Sequence, residues 1–138
     1  SIYAIGIATV DEINKMNILN ASLLSMKRAI YKLKLKPTVA YIDGIFIPKN
    51  LNIKCKTFIK GDEKIRCISA ASIVAKTARD IFMIKLSKKY PKYFWNKNFG
   101  YGTKDHLLNM KKYGVTNLHR RNFKPVHNIL IHKTRETQ

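Results

Sequence analysis

Apolar positions along the chain change their period several times, and each change marks a predicted element. Ile2 to Thr9 is apolar on both faces with Gly6 inside, which predicts a strand. Asp11, Asn14 and Asn17 are cap-type residues before the next element. Leu19, Leu23, Met26, Ile30 and Leu33 then recur at spacings of 4, 3, 4 and 3, one face of an amphipathic helix. Lys27, Arg28, Lys32 and Lys34 fall off that stripe, and Pro37 closes the helix. Thr38-Val39-Ala40-Tyr41-Ile42 is a β-rich run ending in Asp43-Gly44. Residues 45–56, around Pro48, predict a loop; Thr57-Phe58-Ile59 predicts a short strand, turned by Lys60-Gly61-Asp62. The small residues from Ser69 to Ala78 suit a helix packed tightly on a sheet, with Ala70, Val74, Thr77, Ile81 and Ile84 on one face and an end near Tyr90-Pro91. Strand, helix, strand, strand, helix predicts an α/β layer fold.

The last third is more irregular. Tyr93-Phe94-Trp95 is an aromatic cluster, and Phe99-Gly100-Tyr101-Gly102-Thr103 is a glycine-punctuated loop carrying a tyrosine. Thr103 is a good N-cap, Asp105 suits the first turn and Gly114 the stop of the following helix. Pro125 can begin a final short helix. The 138 residues imply one domain, 1–138, and 46% hydrophobic content is enough for a core. No tract is apolar and long enough to cross a membrane, and the opening Ser1-Ile2-Tyr3-Ala4-Ile5 lacks a basic n-region. Cys55 and Cys67 form no Cys-x-x-Cys pair and read as reduced thiols of a cytoplasmic protein.

Charge changes this picture most. Lys and Arg number 27 against 8 Asp and Glu, a formal charge of +19 that attracts polyanions, nucleic acid first among them. An AT-rich coding sequence would also enrich lysine, isoleucine and asparagine. Among the few acidic residues, Asp43 and Asp62 sit at strand-end turns, where neighbouring strands can bring them together to hold cations against a phosphate. Each also fits an ordinary turn. Asp80 lies one helical turn from Lys76 and can pair with it. The four histidines lack metal-ligand spacing, no Walker-type loop is present, and Ser69 and Ser72 lack a nucleophile-elbow context.

Taken together, the motifs resemble bacterial ribonuclease HII. They are Asn17-Ile18-Leu19-Asn20-Ala21, Tyr41-Ile42-Asp43-Gly44, Lys60-Gly61-Asp62, the run from Ser69-Ala70-Ala71-Ser72 through Lys76 to Arg79-Asp80, Gly100-Tyr101-Gly102-Thr103 with His106, and His119-Arg120-Arg121-Asn122-Phe123-Lys124-Pro125. They occur in the family's order over nearly the whole chain. The resemblance implies a ribonuclease H-like mixed sheet flanked by helices. It implies an endonuclease that cuts the RNA strand of RNA–DNA hybrid duplexes, and ribonucleotides embedded in DNA, by two-metal-ion phosphodiester hydrolysis with Mg²⁺ or Mn²⁺. Carried over by motif, Asp43 and Asp62 are catalytic, metal-binding carboxylates and Tyr101 packs on the sugar at the RNA–DNA junction. Lys60, Ser72 and Lys76 contact backbone phosphates or order the site, and Asp80 supports it. The complete protein is expected to be a cytoplasmic monomer.

Two departures stand out. Asn122 replaces the usual serine, and the family's opening Asp-Glu-x-Gly-Arg-Gly motif, source of two further carboxylates, is absent from these residues. Asp11-Glu12 is followed by Ile-Asn-Lys without glycine and reads as helix entry. The chain is therefore expected to be the C-terminal portion of such an enzyme, N-terminally truncated and binding nucleic acid without cutting it. The competing reading is a non-catalytic basic nucleic-acid-binding module; a ribosomal-type RNA binder has support from charge alone.

Overall fold

Thr9 starts the first helix. In the computed structural model, which describes residues 2–136, its side chain accepts from the Glu12 backbone N–H while the Glu12 carboxylate reaches back to the Thr9 N–H, a capping box opening α1 (Val10–Met16). Asp11-Glu12 is thus helix entry, as expected. The Asn17 side chain then accepts from Asn20 N–H and caps α2 (Ile18–Lys32). Beyond Pro37 run β1 (Val39–Asp43) and β2 (Lys54–Phe58), followed by α3 (Gly61–Lys64) and the long α4 (Arg66–Lys89). A 3-10 turn at Pro91–Tyr93 leads to α5 (Trp95–Asn98), α6 (Lys104–Tyr113) and α7 (Lys124–Glu136). Thr103 caps α6 and Gly114 follows its end at φ +82°, both as expected. The chain divides into two compact units, Ser1–Ala78 and Arg79–Gln138.

In the first unit β1 and β2 pair in parallel, Val39 opposite Lys54 through Asp43 opposite Phe58. The α/β class expected from the pattern is borne out, and the sheet of the described residues is this parallel pair. Residues 2–9 are not a strand, contrary to the expectation. Instead of a neighbouring ladder, their carbonyls meet cations of α2: Arg28 Nη1 donates to Ile7 O at 2.7 Å and Lys32 Nζ to Ile5 O at 3.2 Å. Gly6 permits that approach, since a Cβ there would sit 1.9 Å from the Ser25 carbonyl oxygen. Arg28 also grips both Glu12 oxygens, at 2.5 and 2.8 Å. That bidentate pair and the Thr9 N–H hold the Glu12 carboxyl down at about 2.

Two further expectations are corrected. The second strand starts at Lys54 rather than Thr57 and stops before Ile59, because its backbone pairs with β1 while Lys54 and Lys56 stay in solvent. The helix begins at Arg66, and its anticipated core face is largely exposed: Ala70, Thr77, Ile81 and Ile84 lie at the surface. The buried side chains of α4 are Ile68, Met83 and Ser87. In the second unit Met83, Tyr93, Trp95, Met110 and Val126 form the core, with Leu86, Tyr90, Phe99, Leu107 and Phe123 packed around it. The cluster read at residues 93–95 thus splits, Tyr93 and Trp95 inward and Phe94 outward. No described helix is long and apolar enough to cross a membrane.

Candidate active site

Parallel pairing puts the carboxyl ends of β1 and β2 side by side. Ligands of parallel sheets gather at such ends. Asp43 is the last residue of β1, and its partner Phe58 is the last of β2. Gly44 N–H donates to Phe58 O at 2.9 Å, carrying the ladder one step past the strand. From Phe58 the chain turns through Lys60, whose left-handed backbone (φ +54°, ψ +47°) redirects it into α3. The Gly61 N–H then donates to Asp43 Oδ1 at 2.8 Å across 18 positions of sequence. Gly61 itself is buried, with Ile68 Cδ1 and Phe58 Cβ 2.7 and 3.1 Å from where a Cβ would stand. So the Asp43-Gly44 and Lys60-Gly61-Asp62 turns, read separately in sequence, are joined by a direct bond.

Asp62 follows in the first turn of α3 and is exposed, as is Asp43. Lys60 is exposed, 3.6 Å from Glu63. Ser72 and Lys76 lie on the exposed side of α4, and Asp80, in the second unit, is half-buried. Among the described residues no three His, Cys, Asp or Glu side chains cluster as a metal site would require. Asp43 and Asp62 are hard oxygen donors of the kind Mg²⁺ and Mn²⁺ take, and Asp43 has a second oxygen beyond its Gly61 bond. They fit part of such a ligand set.

Tyr101 lies in the second unit, the residue 62% exposed and its backbone fixed. Phe99 and Gly100 take left-handed φ of +49° and +80°. Asn98 ties down the turn, accepting from Gly100 N–H through Oδ1 and from Tyr101 N–H through its carbonyl, both at 2.8 Å. Arg79 donates to Phe99 O at 2.7 Å and lays its guanidinium 5.4 Å from the Tyr101 ring centre. The Tyr101 carbonyl accepts from Thr103 N–H at 2.9 Å and meets His106 Nδ1 at 2.8 Å. An exposed aromatic face on a fastened loop suits stacking on a sugar or base.

Sequence reasoning gave no role to the groups behind that loop. His106 and His119 are buried, their Nε2 atoms 3.2 Å apart, with Trp95 Nε1 3.2 Å from His106 Nε2. Burial, and then the neighbouring His106, push His119 down to about 4. Both stand in the motifs that carry the family resemblance, His106 three residues after the Thr103 cap and His119 opening the His-Arg-Arg run.

Similarity to known proteins settles the family. The ribonuclease HII family model matches residues 1–126, running through both units. The chain belongs to the ribonuclease HII family. It is 55% identical to a ribonuclease HII of Pelagibacter ubique over 94% of this chain and 70% of that protein. With one from Cereibacter sphaeroides it shares 51% over 92% of this chain and 60% of that protein. The crystal structure of the ribonuclease H2 from Pyrococcus horikoshii OT3 superposes with a TM-score of 0.65 at 26% identity, covering 88% of this chain and 64% of that one. The fold is therefore that of ribonuclease H2, and the chain spans about 60 to 70% of the relatives it matches.

Proposed function

We propose that this chain is the portion of a cytoplasmic, monomeric ribonuclease HII that carries Asp43 and Asp62 as catalytic carboxylates. Its substrate is the RNA strand of an RNA–DNA hybrid, or a ribonucleotide embedded in DNA. The observation that carries the reading is the Gly61–Asp43 bond, which draws two family motif turns together at the carboxyl ends of parallel strands. Both units belong to one ribonuclease H-like domain in this reading. Two bound cations, Mg²⁺ or Mn²⁺, would supply an activated water and offset charge on the scissile phosphate and the leaving oxygen. Asp43 and Asp62 would be among their ligands, Gly61 N–H orienting Asp43 through Oδ1. Tyr101 packs on the sugar at the junction, Lys60, Ser72 and Lys76 bear on the phosphate backbone or order the site, and Asp80 supports. The +19 charge concentrates the polyanionic substrate. Two further carboxylates known from the family's Asp-Glu-x-Gly-Arg-Gly motif are not among these 138 residues. The alternative, a binding module without chemistry, shares the charge but has no use for the joined turns.

The test is metal-dependent cleavage of a duplex with one embedded ribonucleotide. It compares the 138-residue chain, the chain joined to an Asp-Glu-x-Gly-Arg-Gly segment, and Asp43→Asn, Asp62→Asn and Asp80→Asn in the joined form. The joined form should cut, the chain alone should bind without cutting, and the first two substitutions should each remove most turnover, Asp80→Asn removing less. Full activity after Asp43→Asn and Asp62→Asn would sink the assignment.

A further inference from the structure

The imidazoles of His106 and His119 are buried, and one pair of tautomers satisfies the N–H donors around them; the Thr116 hydroxyl also lies 3.0 Å from His119 Nδ1. Thr116 N–H lies 3.0 Å from His119 Nδ1, and a backbone N–H can only donate. His119 Nδ1 is therefore bare and its proton sits on Nε2. That N–H points at His106 Nε2, 3.2 Å away, which must then be the acceptor. Trp95 Nε1–H, a donor only, meets the same His106 atom at 3.2 Å, so two N–H groups share its single lone pair and both require it unprotonated. His106 thus carries its proton on Nδ1, and that proton is donated to the Tyr101 carbonyl at 2.8 Å. No buried side-chain nitrogen or oxygen of the described residues is left without a partner. The direction of every bond runs one way, from Thr116 through two rings into the backbone of Tyr101.

Nothing in the core needs two histidines there; Tyr93 and Trp95 already fill it with ring contacts 5 to 6 Å from both imidazoles. What the pair adds is a donor held at a fixed point under the tyrosine loop. The rings cannot rotate without breaking the Thr116 and Trp95 bonds. We propose that His106, oriented by His119 and Trp95, is a positioning residue that sets the backbone of Tyr101 and hence where its ring meets the substrate. This deepens the reading of Tyr101 as the sugar-packing residue and rests on it.

The experiment separates the two ideas. In the cleaving, joined form, His106→Phe keeps the ring but removes the donor, whereas His106→Asn places an amide N–H near the Nδ1 position. His106→Phe should lower cleavage at an embedded ribonucleotide about tenfold through kcat, with duplex affinity unchanged, because a misplaced contact group costs rate rather than phosphate binding. His106→Asn should recover most of that loss. In a Tyr101→Ala background His106→Phe should cost nothing more. By NMR the Tyr101 carbonyl shift should move in His106→Phe and return toward wild type in His106→Asn. The wild-type imidazole ¹⁵N spectrum should show His119 protonated on Nε2 and His106 on Nδ1, a measurement that needs no variant to fold. The proposal is overturned by the opposite tautomers, by an unmoved Tyr101 carbonyl, or by a His106→Phe penalty that persists in full without Tyr101. Unchanged cleavage in Tyr101→Ala would instead overturn the sugar-packing role, while the carbonyl shift and the tautomers still decide whether His106 holds the loop.

Discussion

Acid should loosen this protein as the pH falls from 6.5 toward 4, and His119 is the reason. The perturbation is a pH change from 7.5 to 4. His119 is 6% exposed, its Nδ1 faces the Thr116 N–H, and its Nε2–H is committed to His106. A second proton would have to go on Nδ1, displacing the Thr116 N–H bond, with only the Thr116 hydroxyl at 3.0 Å to accept it in a buried site. Burial first, and then the neighbouring His106, bring His119 from 6.5 down to about 4. The folded state thus binds this proton less readily than the unfolded chain does. Stability from the neutral ring is fully present above about 6.5 and is lost as the pH falls toward 4, where the loss levels off. At about 1.4 kcal/mol per pH unit, the interval from 6.5 to about 4 comes to roughly 3 kcal/mol. For a chain of this size that lowers the thermal midpoint by about 10 °C. Glu12 does not confuse the result, because its carboxyl, held at about 2, yields its contribution only between 4.5 and 2. The assay is thermal unfolding by circular dichroism at half-unit steps of pH and constant ionic strength, for wild type and His119→Gln. The variant should start less stable and show a shallower slope between pH 6.5 and 4.5. A flat wild-type profile in that window, or equal slopes in the two proteins, would refute the reasoning.

Gly61→Ala should cost about 1–3 kcal/mol, since its methyl would meet Ile68 Cδ1 at 2.7 Å and Phe58 Cβ at 3.1 Å, and it should displace the N–H that holds Asp43. Denaturant unfolding with a metal titration checks both, and a neutral substitution would mean that the turn is looser than its packing implies. Affinity for a nucleic-acid duplex should fall steeply as salt rises, given the +19 charge. Fluorescence anisotropy across a salt series measures it, and a flat dependence would point to binding that phosphates do not dominate.

Much of the fold was readable where one physical signal dominated. The stripe predicted α2 correctly as a helix, although it ends at Lys32, Leu19 is exposed and the buried residue is Ala21; the caps at Asn17 and Thr103 sit where their side-chain oxygens can meet an orphan N–H. Misreadings arose where local pattern and tertiary setting part company. Residues 2–9 have the composition of a strand, but their carbonyls are taken by α2 cations rather than by a ladder. Helix α1 has only seven residues and no buried side chain, too short to show a stripe. Lys54 and Lys56 masked the start of β2, because an exposed strand with lysines on one face looks like loop. On α4, helical spacing marked a face correctly as apolar but could not say what covers it.

The candidate site divides along the same line. Asp43 before a glycine and Asp62 after one are conspicuous in so basic a chain, and each turn declares itself locally. That they meet depends on parallel pairing of strands joined by residues 44–53, a choice no short-range signal dictates, since strands so close in sequence more often form a hairpin. Tyr101 was visible as an aromatic between glycines, whereas its support was not. His106 and His119 stand 13 residues apart with no ligand spacing; each falls in a family motif, but that their rings meet shows only once the loop and α6 fold together. A sequence shows which groups can react. It shows much less of what holds them still, because a donor fixed under a backbone carbonyl is defined by three or four partners from separate elements at once. In this chain the metal-type carboxylates have one such brace, Gly61, and the tyrosine loop has three in Arg79, Asn98 and His106. The loop proposed to place a ring against one sugar is braced more heavily than the turn proposed to offer charged oxygens to a cation. That asymmetry follows from the chemistry: a hard cation draws its own ligands into place, while a stacked ring has only its backbone to aim it.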